Sequence, residues 1–131
     1  MNQSGAFEKT VAMRLIKPTI DEVDIKEVLK ITKKWKSMCG QITVHNPKRA
    51  KYFLVNKYSH NVYFAALILG KRSIRCKLLD RELASELAKD NGNKLKLTGY
   101  NKVSQTPEDD KWIEHLKAVL LEQGYQFVDN N

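Results

Sequence analysis

The longest apolar run in the chain narrows the folds that the chain can adopt. Residues Val62–Leu69 form eight uncharged, mainly apolar positions in a row. A helix that crosses a bilayer needs about 20 such residues, so the run does not predict a membrane span. Because both of its faces are apolar, we expect a central strand that is covered on both sides. Tyr52–Tyr58 and Ser73–Leu78 are the strands that we expect to flank it.

Alternation of apolar and polar residues predicts the remaining strands. The pattern is clearest in Ser73–Leu78, where Ile74, Cys76 and Leu78 alternate with Arg75 and Lys77. Further strands are predicted at Phe7–Lys17, Gln41–His45, Asn93–Tyr100 and Tyr125–Val128.

Start and stop signals predict three helices. Thr19 and Glu22 match a capping box, which predicts a helix that runs to about Met38. Asp80 is a suitable N-cap for a short second helix. Thr106-Pro107 predicts the start of a third helix, which we expect to end at Gly124.

The predicted order is β-α-β-β-β-β-α-β-α-β. Short turns between successive strands favour an α+β fold, built as a mostly antiparallel meander of about five to seven strands with helices on one face. A chain of 131 residues is typical of one domain. We expect that domain to span residues 1–131, with flexible ends at residues 1–6 and 129–131.

The N-terminus and the cysteines bear on location. Residues 1–7 lack a charged start followed by an apolar run, so we expect no secretory signal. Cys39 and Cys76 are the only cysteines, and neither belongs to a CxxC pair. Two buried free thiols indicate a reducing compartment. We therefore expect a soluble cytoplasmic or nuclear protein that is not secreted.

Charge is strongly polarised along the chain. Residues 28–79 contain twelve lysines and arginines and no acid, so this window carries +12 while the rest of the chain carries −4. An ordinary solvated surface intersperses both signs, because a field of one sign costs self-repulsion. The acid-free window therefore predicts a partner that is itself negatively charged.

The same window argues against catalysis. The three histidines, His45, His60 and His115, have no metal-ligand spacing, and a two-metal nuclease needs carboxylates that the window lacks. Gly70-Lys71-Arg72-Ser73 lacks the first glycine of a phosphate-binding loop, although its cations suit a phosphate contact. We therefore expect no catalytic residue, metal or cofactor. A small nuclease is kept as a third possible function, after nucleic-acid binding and binding of an acidic protein.

The aromatic residues leave two alternatives open. Tyr52, Tyr58 and Tyr63 lie among the bases, where they could stack on unpaired bases of a nucleic acid. Tyrosines in strands more often pack into a core. Trp35 and Trp112 fall on apolar helix faces, and we assign both to the core.

These observations predict a non-enzymatic nucleic-acid-binding protein with a regulatory or architectural role, as in transcription regulation. Duplex DNA is favoured slightly over RNA, because a β-surface or hairpin can enter a groove. Such small basic domains are common in viruses and mobile elements. The alternative is a module that binds, and inhibits or recruits, an acidic protein. The predicted contact residues are Lys48, Arg49, Lys51, Lys71, Arg72, Arg75 and Lys77, supported by Lys30 and Lys33.

Overall fold

A computed structural model describes residues 7–38, 42–46, 51–79, 94–99 and 106–128. The strands are β1 (Phe7–Ala12), β2 (Ile16–Lys17), β3 (Glu22–Asp24), β4 (Ile42–His45), β5 (Tyr52–Leu54), β6 (Ser73–Leu78), β7 (Lys94–Thr98) and β8 (Gln126–Phe127). The helices are α1 (Ile25–Lys33), α2 (Trp35–Met38), α3 (Lys57–Ile68) and α4 (Pro107–Glu122), with a turn of 3-10 helix at Met13–Leu15. The fold is α+β, as predicted.

The strands form two sheets rather than the predicted antiparallel meander. The first sheet has the order β1-β6-β4-β5-β2, in which β1 is antiparallel to β6 and β4 to β5, while β4–β6 and β5–β2 are parallel. The second sheet, β3-β7-β8, is parallel throughout. The meander is wrong because α3 lies between β5 and β6 in the chain, and a helical crossover lets neighbouring strands run in parallel.

The first sheet is curled, and the N-terminal segment explains how. We predicted one strand over Phe7–Lys17, but the 3-10 turn divides it into β1 and β2, which pair at opposite edges of the sheet. Lys9 on β1 donates a 3.0 Å hydrogen bond to the hydroxyl of Tyr52 on β5, although two strands separate β1 from β5. The inner face of the curl carries the apolar side chains.

Helix α3 lies at the centre of the described structure. It contacts α1, α4, β3 and β4, and every residue from Ser59 to Ile68 is buried. Asn56 caps its start by accepting a hydrogen bond from the Ser59 amide at 2.8 Å. The predicted central burial of Val62–Leu69 holds for 62–68, but the predicted strand is wrong, because the segment is helical.

The error has a physical cause. A helix that is buried on all sides has no polar face, so its sequence shows no 3.6-residue period and resembles a fully buried strand. The predicted strand Tyr52–Tyr58 correspondingly ends at Leu54, and residues 57 and 58 belong to α3.

The predicted N-cap at Thr19 is also wrong. The Thr19 hydroxyl donates to the carbonyl of Leu54 at 2.7 Å, and among the described residues no helix begins beside it. Helix α1 instead begins at Ile25, where Asp24 accepts a hydrogen bond from the Glu27 amide at 3.3 Å. The segment before it forms β3.

Several predicted elements are confirmed. In β6, residues 74, 76 and 78 are buried while Arg75 and Lys77 are exposed, as the alternation predicted. Helix α4 has the predicted cap, since Thr106 and Asp109 form a reciprocal capping box. Gly124 follows its end with φ +95°, a conformation that glycine adopts without strain. Strands β4, β7 and β8 lie within their predicted ranges.

The buried residues of both sheets and of α1, α3 and α4 form one apolar cluster. Trp35 and Trp112 are only half-buried against it, so neither belongs fully to the core. No helix in the described part of the chain is long and apolar enough to cross a membrane. Cys39 and the helix predicted after Asp80 lie outside the described residues.

Candidate nucleic-acid interface

In the folded chain, acidic side chains from the flanking segments lie beside bases of the acid-free window, residues 28–79. Four of its bases form ion pairs with acids from the flanking segments: Lys30–Glu27, Lys33–Asp109, Lys57–Asp24 and Arg75–Glu8. Six other bases have no acidic partner among the described residues: Lys34, Lys36, Lys51, Lys71, Arg72 and Lys77. Lys48 and Arg49 lie outside the described residues. Fewer bases of the window are therefore without an acidic partner than the sequence suggests.

Strand β6 carries two predicted contact residues on its outward face. Arg75 donates through Nε and Nη2 to Oε1 of Glu8 on the neighbouring strand, at 3.0 and 2.7 Å. Lys77 lies directly opposite Glu8 in the strand register. Both bases are exposed as predicted, but one carboxylate offsets part of their charge. We call Arg75 and Lys77 the β6 face.

Helix α1 presents Lys30 and Lys33 to solvent, and both are paired. Lys33 Nζ lies 3.0 Å from Oδ1 of Asp109, a carboxylate that is almost completely buried at the start of α4. Burial alone would raise the pKa of Asp109, yet hydrogen bonds from Lys33 and from the Thr106 amide hold that pKa below its usual value. Lys33 therefore joins α1 to α4 by an ion pair, and its ammonium already has a carboxylate partner.

The chain bends between α1 and α2, at Lys34. This residue leaves the helical region, with φ −118° and ψ 37°. Its carbonyl accepts hydrogen bonds from the amides of Ser37 and Met38, at 3.0 and 2.9 Å. The bend starts a second short helix at Trp35, and Lys34 and Lys36, which flank that tryptophan in the sequence, are both exposed.

Lys71, just after the end of α3, also lies beside Trp35. The Lys71 amide donates to Ala66 and the Gly70 amide to Leu67, at 3.0 and 3.1 Å, with Gly70 at φ +73°. These two bonds define a Schellman motif, which ends α3. The motif fixes the backbone of Lys71, whose Nζ lies 5.6 Å from the centre of the Trp35 ring. This is a cation–π contact.

A pocket of about 350 Å³ lies along the bend, lined by residues 32–37. We call Lys34, Trp35, Lys36 and Lys71 the α2 patch. All three of its lysines are exposed, and none has an acidic partner within the described ranges. One exposed lysine, Lys71, therefore lies over a half-buried aromatic ring beside an open pocket, and two further exposed lysines flank that tryptophan in the sequence.

The tyrosines divide between the two roles left open by the sequence. Tyr52 and Tyr63 are buried, so they pack in the interior. Tyr58 is 45% exposed, and its hydroxyl donates to the carbonyl of Met38 at 2.8 Å. That bond attaches the end of α2 to the first turn of α3, and it leaves an exposed aromatic residue beside the α2 patch.

The buried histidine of α3 has a structural role. The Thr19 amide donates to His60 Nε2 at 2.8 Å, so Nδ1 carries the proton and donates to the Asn56 carbonyl at 2.7 Å. Burial lowers the pKa of His60 to about 4, which keeps the ring neutral. Burial likewise raises the pKa of the Cys76 thiol to about 12, so that thiol is unreactive. Within the described ranges, no three His, Cys, Asp or Glu side chains form a metal-binding group.

Sequence reasoning missed the centre of this site. Lys71 was among the predicted contacts, but Lys34 and Lys36 were not, and Trp35 was assigned to the core. The run Lys33-Lys34-Trp35-Lys36, with three lysines around an aromatic residue, was the available signal. It was overlooked because a single continuous helix was predicted, which would turn Trp35 inward.

No known protein family matches the chain, and no curated protein does. Among solved structures, the crystal structure of protein Atu1540 from Agrobacterium tumefaciens is similar to it, with a TM-score of 0.48 and 17% sequence identity. The similarity covers 62% of this chain and 44% of that one, so the chain spans less than half of Atu1540. A similarity at this level carries no argument about function.

Proposed function

We propose that the protein is a non-enzymatic nucleic-acid-binding protein that contacts phosphates through the α2 patch. One observation carries the proposal: exposed Lys71 lies over half-buried Trp35 beside a pocket, Lys34 and Lys36 on either side of Trp35 in the sequence are also exposed, and none of the three lysines has an acidic partner in the described part of the chain. Lysine ammonium groups bind phosphate oxygens and release condensed counterions, which provides affinity without reading sequence. Regulatory or architectural roles both use contacts of this kind.

The β6 face extends the proposed contact surface. Arg72 directly follows Lys71 and is exposed, and Arg75 and Lys77 continue along the next strand. At about 3.3 Å per strand residue, Lys71 to Lys77 spans roughly 20 Å. That length accommodates several phosphates of one backbone. Lys30, Lys33 and Arg75 contribute less than the sequence suggested, because each already has a carboxylate partner.

Duplex DNA is the first ligand to test. The preference for it rested on a β-hairpin that enters a groove, and residues 52–78 contain a helix in place of that hairpin. The phosphate contacts themselves are compatible with duplex DNA, single-stranded DNA and RNA. All three belong in the experiment.

The test is binding to duplex DNA, single-stranded DNA and duplex RNA at several salt concentrations. Six bases without acidic partners in the described ranges imply about four to six phosphate contacts. On duplex DNA, log K should then fall with log salt with a slope near −4 to −5. Failure to bind any of the three at ~50 mM salt contradicts the proposal. Binding to an acidic protein would then be the remaining explanation for the unpartnered lysines.

A further inference from the structure

The Trp35 ring has one face that opens toward the surface. Lys71 is exposed, and its ammonium lies 5.6 Å from the ring centre. A flexible, solvated side chain therefore covers that face, rather than packed apolar atoms. The pocket of about 350 Å³ adjoins the same residue.

The contact between Lys71 and Trp35 is weak enough to exchange. At exposed positions a cation–π contact contributes less than the stacking of a nucleobase on an aromatic ring. A lysine that leaves the ring gains a phosphate partner when a nucleic acid is present. Replacement of the Lys71 ammonium by a nucleobase is thus favourable twice: Trp35 gains a stacked base, and Lys71 gains a phosphate.

We propose that the α2 patch binds a single-stranded segment of nucleic acid, with an unpaired base stacked on Trp35 in place of the Lys71 ammonium. The released Lys71, with Lys34 and Lys36, then contacts the adjoining phosphates. This inference rests on the proposed function and adds the class of ligand to it. A regular duplex keeps its bases stacked on one another, so it reaches only the lysines.

The experiment uses Trp35 as its own reporter. The chain has two tryptophans, so Trp112→Phe leaves Trp35 as the only one. This variant is titrated at ~50 mM salt, where phosphate contacts are strong, with oligothymidylate, an abasic oligonucleotide and a duplex of equal length. Oligothymidylate should quench Trp35 emission and bind about tenfold more tightly than the abasic strand. The abasic strand and the duplex should leave the emission nearly unchanged.

Three substitutions separate stacking from charge. Trp35→Leu should lower affinity for oligothymidylate about tenfold, to the level of the abasic strand, and leave abasic binding unchanged. Trp35→Phe retains an aromatic ring and should retain most of the affinity, which controls for misfolding. Lys71→Ala should weaken binding to both strands, because both carry phosphates.

The outcomes are distinguishable. If all three ligands bind, the abasic strand binds as tightly as oligothymidylate, and Trp35 emission does not change, the stacking inference is overturned while the proposed function stands. If the duplex binds more tightly than oligothymidylate, the inference is overturned in the same way. If none of the three binds at ~50 mM salt, the proposed function fails, and the inference fails with it.

Discussion

Two neighbouring regions, the interior around α3 and the α2 patch, differ in how their polar side chains are partnered. Inside, Ser59 accepts from the Thr43 amide, His60 bonds to Asn56 and Thr19, and the hydroxyl of Tyr63 donates to the Ile16 carbonyl at 3.3 Å. In the α2 patch, three lysines have no acidic partner in the described part of the chain.

The difference separates structural polar groups from groups that are available to a ligand. A buried polar atom costs stability unless it is hydrogen-bonded, which accounts for the fixed hydrogen-bond partners of Ser59, His60 and Tyr63. Exposed cations carry no such cost and need no partner to fold. The exposed lysines beside Trp35 therefore contribute little to the fold, and we propose that they serve to bind a polyanion.

The largest effect is expected from a charge placed inside α3. Ala66 is completely buried, so Ala66→Asp should lower the free energy of unfolding by more than about 3 kcal/mol. The control is Ala118→Asp on the exposed side of α4, which should cost about 1 kcal/mol or less. Urea denaturation measures both. If the two variants lose equal stability, the central position of α3 is wrong.

His60 should make stability depend on pH. Burial lowers its pKa to about 4, while in the unfolded chain it is about 6.5. Between these values the unfolded state binds the proton first, so stability is lost as pH falls from about 6.5 to about 4, by about 3 kcal/mol in all. His60→Gln cannot titrate, and the stability difference between it and the parent should shrink over that range. A constant difference would show that the ring is accessible to protons.

The ion pair between α1 and α4 should have a smaller effect. Asp109→Asn keeps the shape of the side chain but removes the charge that Lys33 contacts, so we expect a loss of about 1–2 kcal/mol at pH 7. Because the pKa of Asp109 is lowered in the folded state, its contribution is present at neutral pH and is lost as pH falls through that value. Denaturation at pH 7 and at low pH checks this. Equal stability of parent and variant at pH 7 would mean that Lys33 is free to bind a ligand.

The smallest effect concerns the β6 face. Glu8→Gln removes the carboxylate that holds Arg75, and it should raise affinity for nucleic acid about two- to threefold at low salt. The control is Glu114→Gln on α4, which makes the same change in net charge beside Lys117. Filter binding or fluorescence anisotropy distinguishes the two. Equal gains in both variants would show that affinity follows net charge alone.

The elements that were predicted correctly have either an exposed face, which gives a periodic pattern, or a local signal such as a helix cap. Strand β6 shows a period of two because Arg75 and Lys77 face solvent, and α4 starts at a Thr106-Pro107 cap that is confirmed. Helix α3 was mispredicted because complete burial removes any period. Its cap, Asn56, was hidden inside a predicted strand.

The site was only partly predictable for a different reason. Lysines and arginines are visible in the sequence, but their partners are not, because the pairs join distant positions. Glu8 meets Arg75 and Asp109 meets Lys33 only after the chain folds. The Trp35–Lys71 contact likewise depends on the bend at Lys34 and on the end of α3, neither of which has a periodic signal.

The central claim is that the α2 patch, rather than net charge, binds phosphates, and two charge-matched double variants test it most directly. One is Lys36→Ala with Lys71→Ala, and the other is Lys94→Ala with Lys111→Ala, whose lysines are exposed on β7 and α4. The measurement is affinity for oligonucleotides as a function of salt. The first variant should lose about tenfold or more in affinity at ~100 mM salt, with a slope shallower by about two. The second should keep the slope of the parent, and an equal loss in both variants would contradict the claim.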